Sequence, residues 1–347
     1  MHRGELGAIR IAGDSLRGFP ALTAEPRLER LSQALLFGLR SAAFVDPAAR
    51  GAGAELDPTL AELASQLLWP LLPDGVHPPG WLGFVPVGLL ARVPWAALPL
   101  ADGRRLCETC EVVLLPGLRL AMASGRAKRS AQGPPLVVAA DPGGLEAIEH
   151  ELAAIHRLHP GARTLRGPEA TAAAFLECAP RAEWIHFAGH GVYRAEAPHQ
   201  SGLRFADRWL TAEELAGLGL AAHWVTLSAC QSGRARIQPG EEWFGLARSF
   251  LLAGARHVIA AQWDVGDEAT ARLMAEVYEG LAAGQGPVAA LAGAQREAAA
   301  RGVHPLDWAG FGVLGPPPVG SGGDFAVGGE GHGLIESVAS RARSRTA

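Results

Sequence analysis

Four cysteines in a chain of 347 residues are too few for a disulfide framework. Cys107, Cys110, Cys178 and Cys230 read instead as free thiols in a reducing compartment. Charge is also sparse, with 19% charged residues and a formal net charge of -4, so no basic field points to nucleic acid. Long apolar runs are missing. The most apolar stretch, Val85 to Leu100, is broken by Pro86, Arg92, Pro94 and Pro99. It falls short of the roughly 18 to 20 residues that a membrane-spanning helix needs. Arg3, Glu5, Arg10 and Asp14 leave no room for an apolar secretory core, which makes the cytoplasm the expected location. No helical-hairpin repeat recurs along the chain.

What remains is a folded globular composition, 48% hydrophobic, in three regions. Residues 1–130 hold two amphipathic helical stretches, Arg27–Phe44 and Thr59–Leu68, and a Pro/Trp-rich run from Trp81 to Leu98. The polar segment Arg126–Pro135 is the best internal boundary. Residues 131–315 alternate short apolar runs with helical ones. The predicted strands are Leu136–Ala140, Trp184–Ala188, Trp224–Ser228, Arg256–Gln262 and Gly310–Leu314. Between them lie predicted helices at Glu146–Leu158, Thr171–Glu177, Thr211–Leu215, Glu241–Ala253, Asp267–Ala282 and Pro287–Ala300. Thr211 with Glu214 three residues on is a capping box. This alternation implies an α/β fold, a mostly parallel sheet with helices on both faces. Residues 316–347, rich in Gly, Pro and Ser, are expected to be a flexible tail, with Leu334–Ala339 its one helical candidate.

Ligands of an open parallel sheet bind beyond the carboxyl ends of its strands. Two predicted strands run there into reactive groups: Trp184–Ala188 into Gly189-His190-Gly191, and Trp224–Ser228 into Ala229-Cys230-Gln231-Ser232-Gly233. If the strands are neighbours, about 4.8 Å apart, an imidazole and a thiol come within reach of each other. A thiol is a weak nucleophile until an imidazole takes its proton. Attack on a carbonyl also needs donors for the oxyanion, and the N–H groups of Gly191 and Cys230 are the candidates. A lone cysteine after an apolar strand is ordinarily a small core residue; the pairing with His190 carries the reading. The order, histidine before a Cys-containing Gly loop, is that of caspases.

These residues belong to a wider set. Phe187-Ala188-Gly189-His190-Gly191, Leu227 to Gly233, Gly245-Leu246-Ala247-Arg248, Ala253-Gly254-Ala255-Arg256, Gln262 to Thr270 and Trp308-Ala309-Gly310-Phe311 together resemble a CHAT domain. Val93 to Leu98 and Ala139 to Pro142 extend the likeness upstream, over roughly residues 60 to 315. The resemblance implies a caspase-like three-layer sandwich and a cysteine endopeptidase related to separases. It makes His190 the general base and Cys230 the nucleophile, acting on a protein or peptide substrate through a thioester without a cofactor. Residues 1–130 would then be the N-terminal portion of the CHAT region. The helical repeats that accompany the family are missing, so a separately encoded sensor or activator protein is the expected partner. Gly266 replaces a usually polar or acidic residue, and the family's substrate preference does not carry over there. A non-catalytic peptide-binding module and a small-molecule thiol hydrolase are the competing readings.

Asp264 and Asp267 follow the strand that ends near Gln262. They read either as receptors for a basic P1 side chain or, for Asp267, as a helix cap. Cys107 and Cys110 have half-site spacing but no second ligand pair, and no metal is expected. His186 reads as a core histidine. Arg234–Glu242, directly after the nucleophile loop, is the expected mobile element.

Overall fold

A computed structural model describes residues 5–12, 15–72, 78, 80–117, 120, 131–140, 146–192, 194, 197–228, 242–318 and 332–336. One sheet organises them. An antiparallel hairpin, β1 (Glu5–Ala12) and β2 (Ser15–Ala24), leads into helices α1 (Glu25–Ala43) and α2 (Asp57–Leu67). Strands β3 (Trp81–Val85), β4 (Glu111–Leu114) and β5 (Leu136–Ala140) follow, then α3 (Glu146–Leu158) and β6 (Arg163–Arg166). Next come α4 (Ala172–Cys178), β7 (Ile185–Gly189), β8 (Gly191–Val192), β9 (Gly202–Arg204) and β10 (Trp209–Thr211). The remainder is α5 (Ala212–Ala216), β11 (Trp224–Ser228), α6 (Glu242–Ala253), β12 (His257–Ala261), α7 (Asp267–Ala282), α8 (Pro287–Ala300), β13 (Phe311–Leu314) and β14 (His332–Glu336). The large sheet has 11 strands in the order β2-β1-β14-β3-β4-β13-β12-β11-β7-β5-β6, and β8, β9 and β10 form a small antiparallel sheet. Only the β1–β2, β1–β14 and β12–β13 pairs of the large sheet are antiparallel.

Its central strands are apolar on both sides, and their contacts show why. Successive side chains of a strand point to opposite faces. On β7, His186 meets Tyr278 of α7, while Phe187 meets Phe205, which packs on Phe175 of α4. Helices α3 and α7 therefore cover one face and α4 the other. Helix α7 buries Leu273, Met274, Val277, Tyr278 and Leu281, the spacing of one helical stripe. It stops at Gly284, whose φ of +87° suits glycine and closes the last turn through Gln285 N–H donating to the Gly280 carbonyl.

The helices of the middle region stand where the sequence places them to within a residue at each end, and the strands nearly so. Thr211 caps α5 as expected, its Oγ1 accepting from Glu214 N–H while Glu214 accepts from Thr211 N–H. Several features depart from the sequence reading, which gave no strand for β1, β2, β6 or the small sheet of β8, β9 and β10. Strands β3 and β4 lie on the N-terminal side of the expected boundary, yet they pair into the same sheet as the later strands. Within the expected tail, His332–Glu336 is a strand rather than part of a helix, paired with β1 and β3. The free backbone edges of those two strands offer a ladder that local propensity does not reveal.

Candidate active site

Strands β7 and β11 are parallel neighbours, with Ala188 opposite Ser228. Their carboxyl ends thus emerge side by side, the arrangement on which the His190–Cys230 reading depends. At the end of β7, Gly189 packs so closely that a Cβ would sit 3.1 Å from the Ala140 carbonyl oxygen. The chain then leaves the large sheet. His190 is half-buried, and its carbonyl accepts from Arg204 N–H at 2.8 Å. Gly191 begins β8 and pairs with Leu203. The imidazole position is therefore held between two sheets. Cys230 and residues 234–241 of the expected mobile element lie outside the described residues; the chain up to the cysteine is described as far as Ser228, which is buried.

β12 is the parallel neighbour of β11 on its other side, so its carboxyl end shares the same edge. Asp264 there is half-buried and Asp267 exposed. Asp267 is the first residue of α7, the cap position belongs to Gly266, and no side chain caps the helix. The cap reading of Asp267 is thereby corrected: a carboxylate one position later still favours the positive helix end. Just before Asp264, Trp263 is fixed by its indole N–H donating to the Leu306 carbonyl at 2.9 Å and by Gly310 packed under the ring.

Cys107 and Cys110 are core residues, each 1% exposed. Burial pushes the Cys107 thiol up to about 12 and the Cys110 thiol higher than its ordinary value as well. Thiols so desolvated resist forming the thiolate a metal requires. His186 is a core histidine, fully buried.

Sequence reasoning overlooked what surrounds His186. Glu151 of α3, 3% exposed, accepts from Ser228 Oγ at 2.9 Å and faces His186 Nε2 at 3.5 Å through its other oxygen. His186 Nδ1 lies 3.0 Å from the Tyr278 hydroxyl, which donates to Thr226 Oγ1 at 3.2 Å. Burial pushes Glu151 up to about 8, the Ser228 bond opposing this and the charge of Asp267 adding to it. Burial alone holds His186 down to about 3. Both are therefore neutral near pH 7. The signal was present: Glu151 lies three residues after Ile148 and four before Ile155, on the apolar face of its helix.

The described strands form a mostly parallel α/β sheet with helices on both faces. The chain belongs to the CHAT domain family, whose model matches residues 57–316. It is 33% identical over 108 residues to tetratricopeptide repeat protein 28 of Mus musculus, a match taking in 30% of this chain and 4% of the mouse protein. Among solved structures, the Saccharomyces cerevisiae separase–securin complex is similar at a TM-score of 0.46 and 15% identity, over 66% of this chain and 15% of that one. The Arg-specific cysteine proteinase gingipain R gives 0.46 at 12% identity, over 84% and 75%. No helix among the described residues is long and apolar enough to cross a membrane.

Proposed function

We propose that this chain is a cysteine endopeptidase in which His190 and Cys230 form the catalytic pair. The observation that carries it is the parallel pairing of β7 with β11, with Ala188 opposite Ser228, so that each reactive residue follows two positions beyond a paired one. His190 takes the Cys230 proton, the thiolate attacks the scissile carbonyl, and the N–H groups of Gly191 and Cys230 receive the oxyanion. The C–N bond breaks as the imidazolium returns its proton to the amine. Water, activated by the same imidazole, then hydrolyses the thioester and frees the thiol.

Asp264 and Asp267 would receive a cationic P1 side chain; their place on the same sheet edge, beside β11, supports this. Control by a separately encoded activator protein is part of this reading. The test is incubation with a peptide library and sequencing of new N-termini, for the parent, Cys230→Ala and His190→Ala. Cleavage by the parent alone is expected. Equal cleavage by either variant would refute the pair.

A further inference from the structure

The buried cluster around Glu151 joins the two strands that carry the proposed pair, and it does so close to their carboxyl ends. Thr226 and Ser228 belong to β11, His186 to β7, Glu151 to α3 and Tyr278 to α7. The hydrogen bonds assign its protons. Tyr278 donates to Thr226, so it must accept from His186 Nδ1–H, which leaves Nε2 as an acceptor facing Glu151 Oε1. Glu151 Oε1 and His186 Nε2 face each other at 3.5 Å without a hydrogen bond between them, while the other oxygen of Glu151 accepts from Ser228. An apolar pair would fill this space at lower desolvation cost, and a buried carboxyl is tolerated only where its bonds are made. What the carboxyl adds that an apolar residue lacks is a directed bond to the last described residue of β11.

We propose that Glu151 is a positioning residue: by accepting from Ser228 it fixes the carboxyl end of β11, from which the chain reaches Cys230 two residues on. The role as nucleophile-positioner rests on the peptidase reading; the hold on the strand end does not. Tyr278 provides the internal control, because it belongs to the same cluster and the same core but bonds Thr226 and His186, away from the strand end.

Two readouts test this on the full chain. Amide hydrogen exchange is followed over peptides covering residues 224–232. Alkylation of Cys230 by iodoacetamide is followed by mass spectrometry. Loss of one buried hydrogen bond should speed exchange at the end of β11, and slow alkylation, by about tenfold in Glu151→Ala and in Ser228→Ala. Glu151→Gln, which keeps an acceptor for Ser228, should stay within about twofold of the parent on the same scale. Tyr278→Phe should lower thermal stability yet leave both readouts near the parent. The Glu151→Ala/Ser228→Ala double variant should add nothing to either single change. Unchanged exchange in Ser228→Ala, or equal effects of Tyr278→Phe and Glu151→Ala, overturns the proposal. Ser228→Ala and Glu151→Gln carry the test even if Glu151→Ala does not fold. Failure of the catalytic pair shows separately, as alkylation of the parent that His190→Ala does not slow. If His190→Ala does slow it and Ser228→Ala does not, the pair stands and the positioning role falls.

Discussion

Raising the pH should destabilise this protein at values where most proteins are still near their stability maximum, and Glu151 is the reason. Burial holds its carboxyl up to about 8, against about 4.3 to 4.5 in an unfolded chain. Between those values the folded state keeps a proton that the unfolded state has lost. The stabilisation is thus complete below pH 4.5 and is lost as pH rises through 8. His186 and His257 act in the opposite direction. Burial holds them down to about 3 and about 4, so their contribution is present above about 6.5 and is lost as pH falls. Below 6.5 the histidines outweigh the glutamate, and above it the glutamate acts alone. Stability should therefore peak near pH 6.5. At about 1.4 kcal/mol per pH unit per proton, roughly 2 kcal/mol disappears between pH 6.5 and 8. Denaturant unfolding at half-unit steps from pH 5 to 8.5 measures this in the parent and in Glu151→Gln, which cannot titrate. The variant should be flat from pH 6.5 to 8, and the difference between the two curves isolates Glu151 from the cysteines that titrate higher. A parent curve flat over that window, or a decline that Glu151→Gln retains, would refute the reasoning.

Four further outcomes are expected. Cys230→Ala and His190→Ala should abolish cleavage with unchanged circular dichroism, and a metal chelator should have no effect; inhibition by chelator, reversed by zinc, would revive a role for Cys107 and Cys110. If Asp264 or Asp267 receives the P1 side chain, Asp→Ala there should lower kcat/KM for substrates with Arg or Lys at P1, more at half-buried Asp264 than at exposed Asp267, where a pair is worth about 1 kcal/mol or less; a profile dominated by apolar P1 residues would rule this out. Gly310→Ala places a Cβ 2.7 Å from the Trp263 ring and should cost about 1 to 3 kcal/mol of stability. It should also disturb the neighbouring Asp264, so unaltered melting and P1 preference together would contradict the packing. Arg50→Ala should destabilise by a similar 3 to 5 kcal/mol, because it strands Asp307, 8% exposed and paired with Arg50 at 2.7 Å; a melting curve within error of the parent would count against that.

The middle of the fold was legible because its elements are specified locally. Apolar runs such as Leu136–Ala140 and Trp224–Ser228 admit one reading when helices with caps lie between them. Strands β3 and β4 were not read as strands for a physical reason. Trp81–Val85 lies inside a Pro/Trp-rich stretch whose short 3-10 turns, Gly88–Arg92 and Trp95–Ala97, follow at once, so no period emerges. Their pairing is long-range, and propensity does not carry it. The position of His190 just beyond a strand end was legible from the apolar run before it and its flanking glycines. The helix beginning at Asp267 was legible to the residue, and the cap reading of Asp267 fails because a helix that begins there has its cap position one residue earlier, at Gly266.

Glu151 shows the deeper limit of reading one chain. A glutamate on an apolar helix face is a local inconsistency, and inconsistencies of that kind concentrate where a fold serves something besides stability. Its meaning depends on partners 35, 75, 77 and 127 residues away at His186, Thr226, Ser228 and Tyr278, roughly, and only the sheet order brings them together. Once assembled, the cluster is neutral as a whole: the carboxyl keeps its proton, the imidazole stays uncharged, and no charge is left for the core to solvate. That neutrality lets five polar side chains sit among tryptophans and leucines beneath the strand ends. It also makes their bonds directional constraints rather than charge attractions. A charged pair could tolerate sliding of β7 against β11; the two hydrogen bonds of Tyr278, to His186 of β7 and Thr226 of β11, are directional and hold those paired residues at the register on which the proposed His190–Cys230 geometry depends.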